Sequence, residues 1–267
     1  MSELQVDGAR IHYEDTGGSG PTVVLAHGLL WSAAMYRFQL AAFKDRFRCV
    51  AYDHRGQGKS EVTENGYDME TLTQDAARLI EKLGLAPVHF VGLSMGGFVG
   101  MRLAARRPEL VRSLALIETA SDPEPPLNIP KYKLLLFLSR VLGVKALAPA
   151  VMKVMFARPF LTDPARKELR QSMVQALIDN DWAGTARAID GVLWRKPIQP
   201  DELAKIRCPT IVISGELDNA VRPARSERTA RQIPGARFVT IPRAGHTSSI
   251  EEPEAVNSTL AEFWSHI

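Results

Sequence analysis

Short apolar runs bounded by turn residues recur along the chain and predict the strands of a sheet. Five of these runs are apolar on both faces, which is typical of strands covered by helices on each side. In chain order the runs are RIHYE, TVVLAHG, RCVAYDHRG, VHFVGLS, SLALIE, TIVISGELD and RFVTIPRAGH. Because helical patterns separate them, we predict an α/β fold with a mainly parallel, wound sheet flanked by helices.

This alternation of strand and helix stops between about Ser121 and Ile206. A proline-rich joint, SDPEPPLNIP, begins the interruption, and Thr162 or Asp163 together with Pro164 forms a helix-start signal within it. Four stretches here have apolar residues at helical spacing: YKLLLFLSRVLG, VKALAPAVMKVMF, DPARKELRQSMVQALIDN and WAGTARAIDGVL. We therefore predict a core of residues 1–121 and 207–267, with residues 122–206 inserted as a helical lid.

Composition and charge narrow the functional classes. The 267 residues are 45% hydrophobic and 24% charged, close to ordinary globular usage. The net charge is +3, but basic and acidic residues are interleaved, so we expect no nucleic-acid partner. The N-terminal stretch lacks the pattern of a secretion signal, and no run reaches the roughly 18 apolar residues of a membrane span. These features predict a cytoplasmic protein without a membrane span.

The segment VHFVGLSMGGFVG combines a strand, a glycine-rich turn and a helix, which suits either phosphate binding or presentation of a nucleophile. A dinucleotide fingerprint requires glycine where Ser94 stands. The second glycine-rich segment, DHRGQGKS, ends like a phosphate-binding loop, but Asp53 occupies the position of its first glycine. Both nucleotide-binding interpretations therefore fail at one required residue.

The same turn does match G-x-S-x-G, in which small neighbours let a strained turn expose the serine oxygen. An acid and a histidine then follow in order, each after a later predicted strand: Asp218 after TIVIS and His246 after RFVTI. A serine hydroxyl needs a neighbouring base to become a good nucleophile, and a carboxylate fixes that base in the required tautomer. Ser94, Asp218 and His246 are thus the predicted catalytic triad.

These motifs, together with LAHGLLW, YDHRGQGKS, SGELD and PRAGHTSSIEEPE, resemble the α/β-hydrolase superfamily over nearly the whole chain. Within it the chain is similar to lid-bearing serine esterases, enol-lactonases and cofactor-free perhydrolases. The resemblance implies that Ser94 is the nucleophile, that His246 is the general base and then acid, and that Asp218 orients it. It also implies an oxyanion hole from the backbone N–H groups of Leu29 and Met95, and no metal or cofactor.

Several alternatives accompany this prediction. Glu216 and Glu118 are rival acids, and Trp31 and Phe156 are candidates to line the substrate pocket. We expect a small-molecule carboxylic ester or lactone as substrate, acyl-homoserine lactones and enol-lactones included. Perhydrolysis, C–C bond hydrolysis and a ligand sensor built on the hydrolase fold are the alternatives. Epoxide hydrolases and haloalkane dehalogenases have a carboxylate where Ser94 stands, so those reactions are disfavoured.

Overall fold

A computed structural model describes residues 2–267 and contains one sheet of eight strands. The strands are β1 (Ser2–Val6), β2 (Ala9–Asp15), β3 (Thr22–Ala26), β4 (Arg48–Tyr52), β5 (Val88–Leu93), β6 (Val111–Ile117), β7 (Thr210–Gly215) and β8 (Arg237–Ile241). Their order across the sheet is β1-β2-β4-β3-β5-β6-β7-β8. β1 and β2 run antiparallel to their neighbours, and the other six strands are parallel to one another. The predicted mainly parallel sheet is confirmed.

The strand β1 has no counterpart among the seven predicted strands. Only Val6 of its five residues is buried, so its sequence lacks the apolar signal of the inner strands. It is held as an edge strand by pairing with β2, from Ser2 with Tyr13 to Val6 with Ala9. Backbone pairing rather than side-chain burial therefore stabilises this strand.

Helices cover both faces of the sheet. The helices are α1 (Arg37–Phe43), α2 (Met69–Lys82), α3 (Met95–Arg106), α4 (Ile129–Leu142), α5 (Val144–Met155), α6 (Arg158–Thr162), α7 (Lys167–Asp179), α8 (Trp182–Leu193), α9 (Pro200–Leu203), α10 (Pro223–Gln232), α11 (Ser248–Glu251) and α12 (Pro253–Ser265). Alternate residues of β3 enter opposite apolar cores, Val24 in the layer with α2 and α3, and Val23 in the layer with α1 and α12. Such burial on both faces explains the continuous apolar runs of the inner strands.

Six helices, α4 to α9, lie between β6 and β7, within the segment predicted as an insertion. The four helical patterns of the sequence correspond to α4, α5, α7 and α8. Asp163 accepts a hydrogen bond from the backbone N–H of Ala165, so this side chain caps the turn that leads into α7. In residues 2–267 we find no helix that is both long and apolar enough to cross a membrane.

The parallel strands end at a common edge of the sheet, and the polar residues selected from the sequence follow them there. Ser94 comes directly after β5, Glu118 after β6, Asp218 three residues after β7 and His246 five residues after β8. In open α/β sheets the crevice outside the carboxyl ends of the strands is the usual ligand site. The fold therefore brings residues from distant parts of the sequence to one edge.

Candidate active site

The turn from β5 into α3 holds Ser94 in a strained conformation. Its backbone has φ 50° and ψ −107°, which a residue other than glycine seldom adopts. A Cβ at Gly92 would lie 2.3 Å from the carbonyl oxygen of Gly96, and a Cβ at Gly96 would lie 2.0 Å from that of Ala26. Glycine at both positions is therefore what allows strand and helix to meet tightly enough to project the serine side chain.

We expect Gly96→Ala to destabilise the protein strongly. The new Cβ would clash with the backbone of β3, which cannot move without distorting the sheet, so the free energy of unfolding should fall by about 3 kcal/mol or more. The measurement is chemical denaturation of the variant and the wild type. Gly100→Ala on the same helix is the control, since its Cβ would meet only side-chain atoms of Phe90 and Leu114, at 3.0–3.1 Å. Equal stability of the two variants would contradict the steric argument.

Ser94, His246 and Asp218 form one hydrogen-bonded chain. The Nε2 atom of His246 lies 3.0 Å from Ser94 Oγ, and its Nδ1 lies 2.9 Å from Asp218 Oδ2. Because a carboxylate can only accept, Nδ1 carries the proton and Nε2 is free to accept the serine hydroxyl. The other carboxylate oxygen of Asp218 accepts from the backbone N–H groups of Ala220 and Val221, at 2.8 and 2.9 Å. The structure thus brings the three predicted residues together, and their contacts indicate which ring nitrogen of His246 carries the proton.

The two rival acids do not bond to His246. Glu216 is exposed and accepts from the backbone N–H of Arg243. Glu118 is fully buried, and one of its oxygens accepts from the N–H of Gly215 at 3.1 Å. Burial, followed by the nearby charge of Asp218, raises the pKa of Glu118 well above its usual value. This shift favours the neutral form of Glu118 beside the triad.

The backbone N–H groups of Leu29 and Met95, beside Ser94, donate to no acceptor among the hydrogen bonds found in residues 2–267. Met95 begins α3 directly after the serine, and Leu29 lies in the turn after β3. The Nε2 atom of His27 accepts from the N–H of His54 at 2.9 Å, so its Nδ1 donates to the carbonyl oxygen of Gly28 at 2.7 Å. Burial lowers the pKa of His27, which keeps the ring neutral and in this tautomer. These contacts fix the turn that holds the Leu29 N–H.

A largely apolar cavity of about 160 Å³ opens onto the serine and histidine. The described residues that line it are Leu29, Leu30, Ser94, Phe98, Glu124, Tyr132, Leu135, Leu136, Ser139, Val144, Leu147, Val151, Val154, Met155, Leu177, Trp182, Ile189, Val192, Leu193, Arg195, Ala220, Val221 and His246. Most come from helices between β6 and β7. The cavity wall is thus built mainly by the segment between β6 and β7, and Ser94 and His246 complete its lining.

Trp31 and Phe156 were expected to line the substrate pocket, and the structure places them elsewhere. Both side chains are buried in the core, where their rings meet edge to face with centroids 5.8 Å apart. Phe156 also stacks on Phe160 at 4.8 Å. Neither is among the residues that line the cavity. Their apolar surface is used in packing, so we correct their assignment from pocket wall to core.

Charge in the cavity wall is confined to one ion pair. Arg195 and Glu124 lie 3.5 Å apart, and the Arg195 side chain is almost completely buried. Its guanidinium also lies 4.2 Å above the ring centroid of Phe98. Burial is the main cause that lowers the pKa of Arg195 to about 10, so the side chain keeps its charge near neutral pH. In residues 2–267 no cluster of three or more side chains is suited to holding a metal ion.

Residues 21–253 match the model of the alpha/beta hydrolase fold. The chain belongs to the α/β-hydrolase family. RutD of Stutzerimonas stutzeri, named as a carbamate hydrolase, is 29% identical over 256 residues, which are 94% of this chain and 96% of RutD. An enol-lactonase from Burkholderia xenovorans LB400 aligns with a TM-score of 0.90 and 32% identity over 99% of this chain and 100% of that one. A thermophilic esterase from Thermogutta terrifontis aligns with a TM-score of 0.88 and 30% identity, over 97% and 94% of the two chains. The predicted family and fold are confirmed, and these relatives support hydrolase activity.

Two residues that sequence reasoning did not select hold the site of this α/β-hydrolase in shape. Gln57 accepts from the N–H of Leu30 at 2.9 Å, and its amide reaches the sulfur of Met95 at 3.9 Å, so it bridges the turns of both unpaired N–H groups. Gln57 lies within the motif YDHRGQGKS, and that position is the signal that could have identified it.

The second such residue is Glu251, whose carboxylate is fully buried. One oxygen accepts from the N–H groups of Gly245 and Thr247, which flank His246, and from the Thr247 hydroxyl. The other accepts from the N–H of Ala157 at 2.7 Å, between α5 and α6. Glu251 therefore joins the histidine loop to the inserted helices. Glu251 lies within PRAGHTSSIEEPE, but the motif does not show the contact with Ala157, which is 94 residues away in the chain.

Proposed function

We propose that the protein is a serine hydrolase that cleaves a carboxylic ester or lactone through an acyl-enzyme, without a cofactor. The observation that carries the proposal is the hydrogen-bonded chain of Ser94, His246 and Asp218 beside the two unpaired N–H groups of Leu29 and Met95. These are the parts that acyl transfer requires: an activated nucleophile, an oriented base and donors for a developing oxyanion.

In the first half of the proposed reaction, Ser94 Oγ attacks the substrate carbonyl carbon while its proton passes to His246 Nε2. The carbonyl oxygen becomes an oxyanion that accepts from the N–H groups of Leu29 and Met95, and each such donor contributes about 3 to 4 kcal/mol. Asp218 stabilises the imidazolium that forms. The bond between carbonyl carbon and alcohol oxygen then breaks, and His246 donates its proton to that oxygen.

In the second half, water replaces the alcohol. His246 takes a proton from water as the water oxygen attacks the carbonyl carbon of the acyl-enzyme. Collapse of the second tetrahedral intermediate breaks the bond to Ser94 Oγ, which recovers its proton from His246. The product is a free carboxylic acid. In a lactone the leaving hydroxyl stays attached to the acyl group, so one hydroxy acid is released.

We further propose that residues 122–206 act as a lid over the site. Apolar side chains of α4 and α5, such as Leu135, Leu136 and Val151, line the cavity that also contains Ser94. An apolar wall favours a substrate with an aliphatic or aromatic acyl group, with about 1 to 3 kcal/mol gained per methylene that fits. The lid also keeps bulk water away, which strengthens the polar contacts to the oxyanion.

Product analysis by mass spectrometry tests the proposed function. The panel contains p-nitrophenyl esters of graded chain length, lactones including acyl-homoserine lactones, and a carbamate. We expect turnover of at least one ester or lactone series, with kcat/KM rising as the apolar chain lengthens, because the cavity wall is apolar. Addition of a chelator is expected to leave this rate unchanged.

Other results would replace the proposal. Stoichiometric acylation of Ser94 without turnover would favour a ligand sensor, and cleavage of the carbamate alone would move the substrate outside the ester class. Formation of a peracid from hydrogen peroxide and a carboxylic acid, with no ester hydrolysis, would favour a perhydrolase. Loss of activity to the chelator with recovery on adding a metal ion would contradict the cofactor-free mechanism.

A further inference from the structure

The side of α4 that faces away from the cavity exposes large apolar side chains. Leu134, Phe137 and Val141 are 57%, 61% and 63% exposed, and their spacing places them on one face of the helix. The neighbouring exposed apolar residues are Leu127, Leu142 and Trp194. We call these six residues the outer face. Elsewhere in residues 2–267, the exposed large apolar side chains are the scattered Val62, Leu217 and Ile267, so the concentration here is unusual.

The charged side chains of α4, which carries most of the outer face, and of the following helix α5 are all basic. The 34 residues 129–162 contain no aspartate or glutamate, and the six basic side chains among them are exposed, at Lys131, Lys133, Arg140, Lys145, Lys153 and Arg158. Lys133 is paired with Asp190 of α8 at 3.2 Å and lies above the ring of Trp194. Residues 129–162 therefore combine exposed apolar side chains with exposed positive charges.

Exposed apolar groups flanked by cations match one kind of surface particularly well. A helix lying in the headgroup region of a bilayer buries apolar side chains and directs lysine and arginine to anionic lipids. Phe137 and Trp194 supply the aromatic contacts that such helices use. An acidic soluble protein would satisfy the charges but would also need an apolar area matched to this particular face.

A second copy of the chain would not complement the positive charges near the outer face. In a two-fold dimer the same face meets itself. The contact would bring Lys131, Arg140 and Lys145 of one molecule against the same cations of the other, and α4 and α5 contain no acid to compensate. Like charges brought together are repulsive. The charge pattern thus argues against a symmetric dimer through the outer face.

We propose that the outer face docks the protein onto a bilayer of anionic phospholipids. The apolar side chains enter the boundary between headgroups and acyl chains, and the cations contact the lipid phosphates. The opposite side of α4 lines the cavity through Leu135, Leu136 and Ser139. In the docked protein, α4 alone would therefore separate the cavity from the bilayer surface. Binding of this kind does not depend on the triad, so it is separable from the proposed function.

Vesicle flotation of the full chain tests the proposal. We expect the wild type to float with phosphatidylcholine vesicles that contain phosphatidylglycerol, much less with phosphatidylcholine alone, and less as salt rises. Lys131→Glu combined with Arg140→Glu should lower the bound fraction by about tenfold or more, because each cation strengthens binding to an anionic surface. Phe137→Ser should lower it by roughly tenfold through lost apolar burial.

Matched controls separate docking from general effects. Lys44→Glu with Lys205→Glu makes the same change in net charge on exposed residues outside the outer face, and Ile267→Ser removes an exposed apolar side chain elsewhere. Both should float like the wild type, and all variants should keep the wild-type melting temperature. No flotation with anionic vesicles, or equal losses in the controls, would overturn the proposal. So would a dimer in sedimentation equilibrium that dissociates on Phe137→Ser.

Discussion

Ser94→Ala is expected to lower kcat by about 10⁴- to 10⁶-fold while the protein stays folded. Removal of Oγ takes away the atom that attacks the carbonyl and leaves His246 with no nucleophile to activate. The strained turn around position 94 is set by Gly92 and Gly96, so alanine can adopt it as well as serine does. Initial rates on the best ester or lactone, with thermal unfolding in parallel, provide the measurement.

Ser214→Ala is the matched control for this substitution. Like Ser94, Ser214 is a buried serine near the carboxyl end of a parallel strand, and its hydroxyl has no partner among the described residues. Its removal should leave both kcat and the melting temperature nearly unchanged. If the Ser94 variant hydrolysed esters at a rate close to that of the wild type, the nucleophile would have to be sought elsewhere.

Asp218→Asn is expected to lower kcat by about 10⁴-fold with little change in structure. The Oδ1 atom of Asp218 accepts from the N–H groups of Ala220 and Val221, so the amide oxygen of asparagine would take that place. The NH₂ group would then face His246 Nδ1 and force it to act as acceptor. The ring proton would move to Nε2, which could no longer accept the proton of Ser94. A pH-rate profile on the variant and wild type measures the loss.

Glu118→Gln tests which of the two buried acids, Asp218 or Glu118, serves as the acid of the triad. Burial favours the neutral form of Glu118, and its Oε1 accepts from the N–H of Gly215, so the amide oxygen of glutamine can take over that contact. We expect kcat within about threefold of wild type, since the substitution leaves the triad contacts intact. A large loss in this variant together with an active Asp218→Asn would reassign the acid of the triad to Glu118.

The sheet and the polar residues at its edge could be predicted because each depends on local sequence. Buried parallel strands need continuous apolar runs, and the strained turn at Ser94 needs small neighbours, so both leave a mark within a few residues. The chain order of Ser94, Asp218 and His246 then identified residues that only the fold brings together. Strand β1 could not be predicted, because it is stabilised by its backbone pairing with β2 rather than by a buried face.

The substrate pocket was harder to predict than the triad. A buried aromatic residue looks the same in sequence whether it packs against another side chain or borders a void. Trp31 and Phe156 pack against each other, whereas Leu135 and Val151 face the cavity. Which apolar residues border a void is decided by how the inserted helices cross the sheet edge, and that depends on contacts between segments far apart in the chain. The link made by Glu251 escaped prediction for the same reason.

The contacts of Glu251 bear on how the proposed lid would open. The N–H of His246 donates to the carbonyl oxygen of Met155, and Ala157 is bonded to Glu251, so the junction of α5 and α6 is fastened to the loop that carries the general base. A hinge at this junction would separate His246 from Ser94 each time it opened. For the lid proposed for residues 122–206, we therefore expect the opening movement to occur in α4, while the junction of α5 and α6 stays fixed to the histidine loop.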